Sequence, residues 1–75
     1  MKTLNITMRY ISDIAKFTQE AMKVTGDVSI YKDKYVIDGK SIMGLFSINT
    51  SDITVEYPKE AIEFEKFLLD TFVNN

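Results

Sequence analysis

Apolar residues in this chain change repeatedly between a spacing of two and the spacing of an α-helix. Leu4, Ile6 and Met8 alternate with polar residues, which is the pattern of a half-buried strand. Between residues 14 and 24 the apolar positions instead recur every three or four residues, as on one face of a helix. Because such elements are stable only when their apolar faces pack together, this alternation predicts an α+β domain.

The first helix is expected to contain about twelve residues. Ser12 is a favourable N-cap, Asp13 follows in the first turn, and Gly26 stands where a C-cap glycine is common. The apolar stripe of this helix consists of Ile14, Phe17, Ala21 and Val24.

Two short β-rich runs follow, at residues 28–31 and 35–37, and the residues between them suit a hairpin connection. We therefore expect these runs to pair as antiparallel strands. Ser41 then precedes the apolar stretch 42–46, which is too short for a long helix and poor in β-branched residues. We interpret this stretch as one or two helical turns with Ser41 as the N-cap.

Residues 53–57 alternate again, and Pro58 ends this strand while suiting the first position of a following helix. The elements thus follow in the order β-α-β-β-α-β-α, with the helices expected on one face of the sheet. The final helix carries an apolar stripe of Ala61, Phe64, Leu68 and Phe72. The side chains expected to meet in one core are Ile6, Val55, Phe64 and Leu68.

The 75 residues contain neither cysteine nor histidine. Disulfides and thiolate metal sites are therefore excluded within them. The aspartates are scattered through predicted caps, turns and strand ends, where this residue is common. We accordingly expect no metal site, no cofactor and no enzymatic activity.

The formal net charge of −2 gives no large positive field for nucleic acid or a membrane surface. Residues 31–35 place two lysines between two tyrosines, and we interpret them as a hairpin tip rather than a surface for single-stranded nucleic acid. The first residues lack the continuous apolar run of a signal peptide. These features predict a cytoplasmic protein.

Residues 40–48, with the sequence KSIMGLFSI, resemble the stretch around the regulatory serine of the HPr phosphocarrier family. The order of elements is also similar to that family's order over essentially the whole chain. The resemblance implies a single HPr-like domain over residues 1–75, an open-faced sandwich with a four-stranded antiparallel sheet in the order 1-4-2-3 and helices on one face. It also implies that Ser41 matches the serine that HPr kinase phosphorylates, with a transcription regulator as a further partner.

The same resemblance implies a degenerate phosphocarrier site. Counting back from Ser41 without gaps, Tyr10 falls where the family has its phosphorylated histidine. Ser12 falls where an arginine steadies the phosphate, and Asp13 where a proline opens the helix. Phosphotransfer also needs a nitrogen nucleophile, because a phosphate on Tyr10 is an ordinary ester that transfers poorly. The composition therefore excludes relay through histidine.

The residues Ile42, Met43, Leu45 and Phe46 cannot all be buried by so short a helix, and we expect two of them to form a contact patch. In the family this region meets protein partners together with the start of the first helix, here Tyr10 and Ser12. Two functions remain open. One is a non-catalytic regulator of carbon catabolism or of the phosphotransferase system, comparable to the family's histidine-lacking branch and switched at Ser41. The other is a diverged interaction or structural module in which Ser41 is only a cap.

Overall fold

The computed structural model describes residues 1–73, which form four strands, three α-helices and a final π-helical turn. The strands are β1 (Lys2–Ile6), β2 (Ser29–Lys32), β3 (Tyr35–Asp38) and β4 (Ile53–Tyr57). The helices are α1 (Ile11–Ala21), α2 (Ile42–Phe46) and α3 (Ile62–Leu68), and the π-helical turn is α4 (Leu69–Val73). The predicted order of the elements is therefore confirmed.

The strands form one four-stranded antiparallel sheet in the order β1-β4-β2-β3, as the resemblance implied. Val55 lies opposite Leu4 on one side and opposite Ile30 on the other, and Ile30 in turn faces Ile37 of β3. Because side chains alternate between the two faces of a strand, this apolar row lies on the face that the helices cover. The neighbouring row, on the open face, consists of Asn5, Thr54, Tyr31 and Val36.

The core lies between the inner face of the sheet and the helices. Phe64 of α3 meets Phe17 of α1 edge to face, with 5.6 Å between the ring centroids, and Tyr57 of β4 at 5.8 Å. The predicted core residues Ile6, Val55, Phe64 and Leu68 all belong to this one buried cluster. In the described part of the chain, no helix has both the length and the apolar character that crossing a bilayer requires.

The boundaries of α1 differ from the prediction. Its N-cap is Tyr10, with extended backbone angles, and Ser12 is an exposed residue inside the first turn. Asp13 explains the earlier start, since its carboxylate accepts hydrogen bonds from the backbone N–H groups that precede the helix. The helix also ends sooner, at Ala21, so Val24 and Gly26 lie in the following loop, where Gly26 adopts a φ of 106°.

The last helix begins at Ile62 rather than at Pro58. The N–H of Ala61 donates to the carbonyl of Pro58 over 3.0 Å, which closes a turn between β4 and α3. Pro58 therefore ends the strand as predicted but does not open the helix. Beyond Leu68 the helix widens into α4, whose Phe72 packs against Phe67 with 5.7 Å between the ring centroids.

Candidate protein-binding surface around Ser41

Ser41 is the N-cap of α2, as the sequence predicts. Its side-chain Oγ accepts a hydrogen bond of 3.0 Å from the backbone N–H of Gly44, which otherwise has no partner in the first turn of the helix. The backbone N–H of Ser41 donates to the carbonyl of Asp38, so the helix starts directly from the end of β3. These bonds fix the position of the serine, and its side chain remains partly exposed.

Gly44 lets α2 lie close to the sheet. A Cβ atom at this position would come within 2.8 Å of Ile37 Cγ2 in β3 and within 3.2 Å of Ser41 Oγ. Any larger residue would therefore push the helix away from β3 or disturb the cap. Ser41 therefore caps α2, and Gly44 allows α2 to pack closely against β3.

The exposed side chains of α2 form an apolar surface. Ile42, Met43 and Phe46 are 38, 77 and 47% exposed, and we call these three residues the α2 patch. Leu45 was predicted to share this surface but is fully buried in the core, because it lies on the side of the helix that faces the sheet. Three of the four candidates are therefore exposed, one more than expected.

The start of α1 contributes further exposed residues. Tyr10 is 67% exposed, and its neighbours Arg9, Ile11 and Ser12 are exposed as well. Helix α1 packs against α2, so these residues and the α2 patch belong to neighbouring helices. Both halves of the predicted partner surface, apart from Leu45, are therefore accessible.

Asp13 already occupies the backbone donors at the start of α1. One oxygen of its carboxylate, Oδ2, accepts from the N–H groups of Arg9 and Tyr10, each over 3.2 Å. A bound phosphate would have to compete with this internal anion for the two donors and would be repelled by its charge. This end of the helix is therefore poorly suited to hold a phosphoryl group.

An open cleft of about 470 Å³ lies beside Tyr10 and Asp13. Thr71 and Phe72 of α4 also line it. Asn5 and Asp52 line it as well, and Asn5 Nδ2 donates a hydrogen bond of 3.0 Å to Asp52 Oδ1. The cleft therefore brings the degenerate site together with the π-helical end of the described chain.

Solved structures similar to this chain share its architecture. An HPr-C-His protein from Thermoanaerobacter tengcongensis superposes with a TM-score of 0.76 at 24% identity, covering 100% of this chain and 98% of the other. The HPr of Bacillus anthracis has 31% identity and a TM-score of 0.59, covering 89% of this chain and 88% of its own. The catabolite-repression protein Crh of Bacillus subtilis also has 31% identity, with a TM-score of 0.65 and coverage of 89% and 85%.

The chain belongs to the HPr-like family. No family model and no curated protein matches the sequence. Membership therefore rests on the solved structures, and it places the chain among proteins with a phosphocarrier or catabolite-repression role. Members of these kinds are phosphocarrier or regulatory proteins rather than catalysts.

Groups with a shifted pKa lie in the sheet and in α3 of this HPr-like chain. Among residues 1–73 there is no group of three or more acidic, histidine or cysteine side chains arranged to hold a metal ion. The hydrogen bond that Tyr31 of β2 donates to Glu56 raises the pKa of its hydroxyl, and two further shifted groups lie where β1 and β4 meet α3. Burial and a 2.6 Å hydrogen bond to Glu65 raise the pKa of the Tyr57 hydroxyl. That bond, with a second from Lys2, lowers the pKa of the Glu65 carboxyl.

Ile11 is the exposed residue that the sequence reasoning missed. It is apolar and largely exposed, and it directly follows Tyr10 on the accessible side of the HPr-like fold. No sequence pattern marked it as exposed, because Ile11 stands three residues before Ile14 and so continues the helical spacing of the buried Ile14 and Phe17. It was overlooked because the helix was expected to begin after it.

Proposed function

We propose that this HPr-like chain is a non-catalytic regulatory protein that binds protein partners through the α2 patch and is switched by phosphorylation at Ser41. The observation that carries the proposal is the exposure of Ile42, Met43 and Phe46 directly beside a partly exposed serine. Apolar side chains of this size on a short helix favour a protein contact, and Met43 adapts to different partner surfaces. A charge on Ser41 would alter every such contact.

Phosphorylation at Ser41 would change the surface without requiring a new fold. A phosphoserine carries roughly −1.5 to −2 charges at pH 7 and three acceptor oxygens. One of these oxygens can replace Oγ as the acceptor for the N–H of Gly44. The negative charge beside Ile42 and Met43 would weaken partners that dock by apolar contacts and favour partners that present arginine or lysine.

The proposal includes HPr kinase and a transcription regulator as partners, in the control of carbon catabolism or of the phosphotransferase system in the cytoplasm. The lack of histidine in these 75 residues supports a regulatory role over a carrier role. Asp13 also supports a regulatory role over a carrier role, since its carboxylate accepts hydrogen bonds from the backbone N–H groups of Arg9 and Tyr10 that a phosphate would need. Tyr10, Ile11 and Ser12 are proposed as the second half of the partner surface.

The first experiment is incubation with HPr kinase and ATP, followed by intact-mass measurement. The expected result is the addition of one phosphate, which Ser41→Ala abolishes. Ser47→Ala is the matched control, because Ser47 lies at the other end of α2 and its hydroxyl donates to the carbonyl of Gly44. This variant should be modified as fully as the parent protein.

The second experiment measures binding to the catabolite regulator with and without the phosphate. Met43→Asp places a charge in the centre of the α2 patch and should weaken binding by about tenfold or more. Ile62→Asp is the control, since Ile62 is equally apolar and 64% exposed but lies on α3, outside the patch. Equal losses from both variants would contradict a role for the α2 patch.

The alternative is a diverged HPr-fold module without a phosphorylation role, in which Ser41 serves only as a cap. The cap bond to Gly44 and the negative Asp13 favour this reading, because neither feature needs a kinase or a phosphate. If the chain gains no mass under conditions that fully modify an ordinary HPr, the alternative replaces the first proposal.

A further inference from the structure

The two edges of the sheet differ in how well they are protected. On the β1 edge, Lys2 is exposed and paired with Glu65 of α3 over 3.1 Å. The β3 edge has the sequence Tyr35-Val36-Ile37-Asp38, with neither proline nor lysine inside the strand. Val36 is 63% exposed on it, and Tyr35 is exposed beside it. Natural sheets usually guard such an edge with charge, proline or a bulge, and inside β3 the only charge is that of Asp38 at the end of the strand, so the β3 edge is available for pairing.

Two residues of β3 point their backbone N–H groups away from β2, toward the open edge of the sheet. Lys32 and Tyr35 close the hairpin, and the N–H of Gly39 donates to the carbonyl of Val28 over 2.7 Å at the other end. In an antiparallel pair, residues that bond to the neighbour alternate with residues that do not. Val36 and Asp38 therefore turn their backbone N–H groups to the open edge.

We infer that a second copy of this chain pairs with this edge, β3 against β3 in antiparallel orientation, with Val36 opposite Val36 of the second copy. A two-fold axis perpendicular to the sheet relates the copies and joins their sheets into one, with the helices on the same side. This inference is independent of Ser41 and of the proposed function.

The side chains of β3 and its flanking residues are complementary in this register. Lys34 lies opposite Asp38 of the second copy, and the symmetry repeats this pair of opposite charges. Tyr35 lies opposite Ile37, an aromatic and β-branched pair of the kind that stabilises neighbouring strands. A register centred on Ile37 would instead place Lys34 opposite Lys40, where like charges repel. Charge therefore selects the register centred on Val36.

On the face of the sheet that the helices cover, the β3 edge has room for the Tyr35 side chain of the second copy. Tyr35 and Ile37 line an open groove of about 460 Å³, which Ile48 and Asn49 line as well. In the Val36 register, Tyr35 of the second copy lies over Ile37 and enters this groove. The interface is short and smaller than a standard protein interface, so the association is reversible and visible at high protein concentration.

The test is sedimentation velocity of the whole chain over a wide range of protein concentrations. The parent protein is expected to shift from monomer to dimer as its concentration rises. Val36→Lys puts two lysines face to face at the centre of the interface and should weaken the dimer by about tenfold. Thr3→Lys is the matched control, because it adds the same charge to the exposed β1 edge and should leave the dimer unchanged within about twofold.

Amide hydrogen exchange locates the contact. Slower exchange of the Val36 and Asp38 amides at high concentration, lost in Val36→Lys, supports the inference. The Crh of Bacillus subtilis was described as an intertwined, domain-swapped dimer, and a dimer of that kind here would survive Val36→Lys. Such survival, a monomer at every concentration, or protection confined to the α2 patch would each overturn β3 pairing.

Discussion

Leu68 is the residue whose truncation tests the packing of α3 most directly. Its side chain is fully buried in the cluster between the sheet and the helices. Leu68→Ala removes the buried methyl groups and leaves a cavity that the tightly packed neighbours fill only in part. Substitutions of this kind cost about 2–5 kcal/mol of unfolding free energy.

That loss is large relative to the whole stability of so small a domain. At roughly 0.05–0.15 kcal/mol per residue, a chain of 75 residues has an unfolding free energy of about 4–11 kcal/mol. The variant should therefore lose a substantial part of its stability, and its Tm should fall by at least about 8 °C. Urea unfolding followed by far-UV circular dichroism gives the free energy, and a thermal scan gives the Tm.

The matched control for Leu68→Ala is Ile62→Ala, in the first turn of the same helix. Ile62 is exposed, so its truncation should change the unfolding free energy by no more than about 0.5 kcal/mol. A change below about 0.5 kcal/mol for Leu68→Ala itself would show that α3 does not pack against the sheet through this residue.

Three further predictions concern the cap, the acid–base behaviour and the lost carrier chemistry. Ser41→Ala should lower the unfolding free energy by about 1 kcal/mol in urea titrations, whereas Ser41→Asp, which keeps an acceptor for the α2 cap, should lose less. Because hydrogen bonds from Tyr57 and then Lys2 lower the folded-state pKa of Glu65, its contribution to stability is present above the unfolded-state pKa and is lost as the pH falls through the folded-state value. The stability difference between the parent protein and Glu65→Gln should therefore shrink on acidification, and a constant difference in unfolding titrations would contradict this. With phosphoenolpyruvate and enzyme I, the chain should gain no acid-labile, base-stable phosphate, as measured beside an ordinary HPr.

Local patterns in the sequence were sufficient for most of the elements. The alternation of residues 53–57 predicted β4 with its observed bounds, and Ser41 predicted both the start and the cap of α2. Strand alternation and helix capping depend only on neighbours within a few residues, so the local sequence is enough to predict them. The order of the strands came from the resemblance, because it depends on long-range pairing that no local pattern specifies.

The starts of α1 and α3 were predicted less well, since several hydrogen bonds compete at each of these positions. Ser12 is a good cap by residue type, but the carboxylate of Asp13 bonds to the preceding N–H groups and moves the start to Ile11. Pro58 suits a first helical position, yet its carbonyl closes a turn with Ala61 before α3 begins. Residue preferences rank such alternatives without deciding between them.

The sequence alone determined that these 75 residues contain no histidine or cysteine. It therefore also determined that they lack phosphate relay through histidine and metal sites built from thiolates. It also determined the apolar character of α2. Only the tertiary structure decided that Leu45 enters the core while Ile42, Met43 and Phe46 remain exposed. A five-residue helix is too short for its periodicity to define a buried face, so the close approach of Gly44 to β3 sets its orientation.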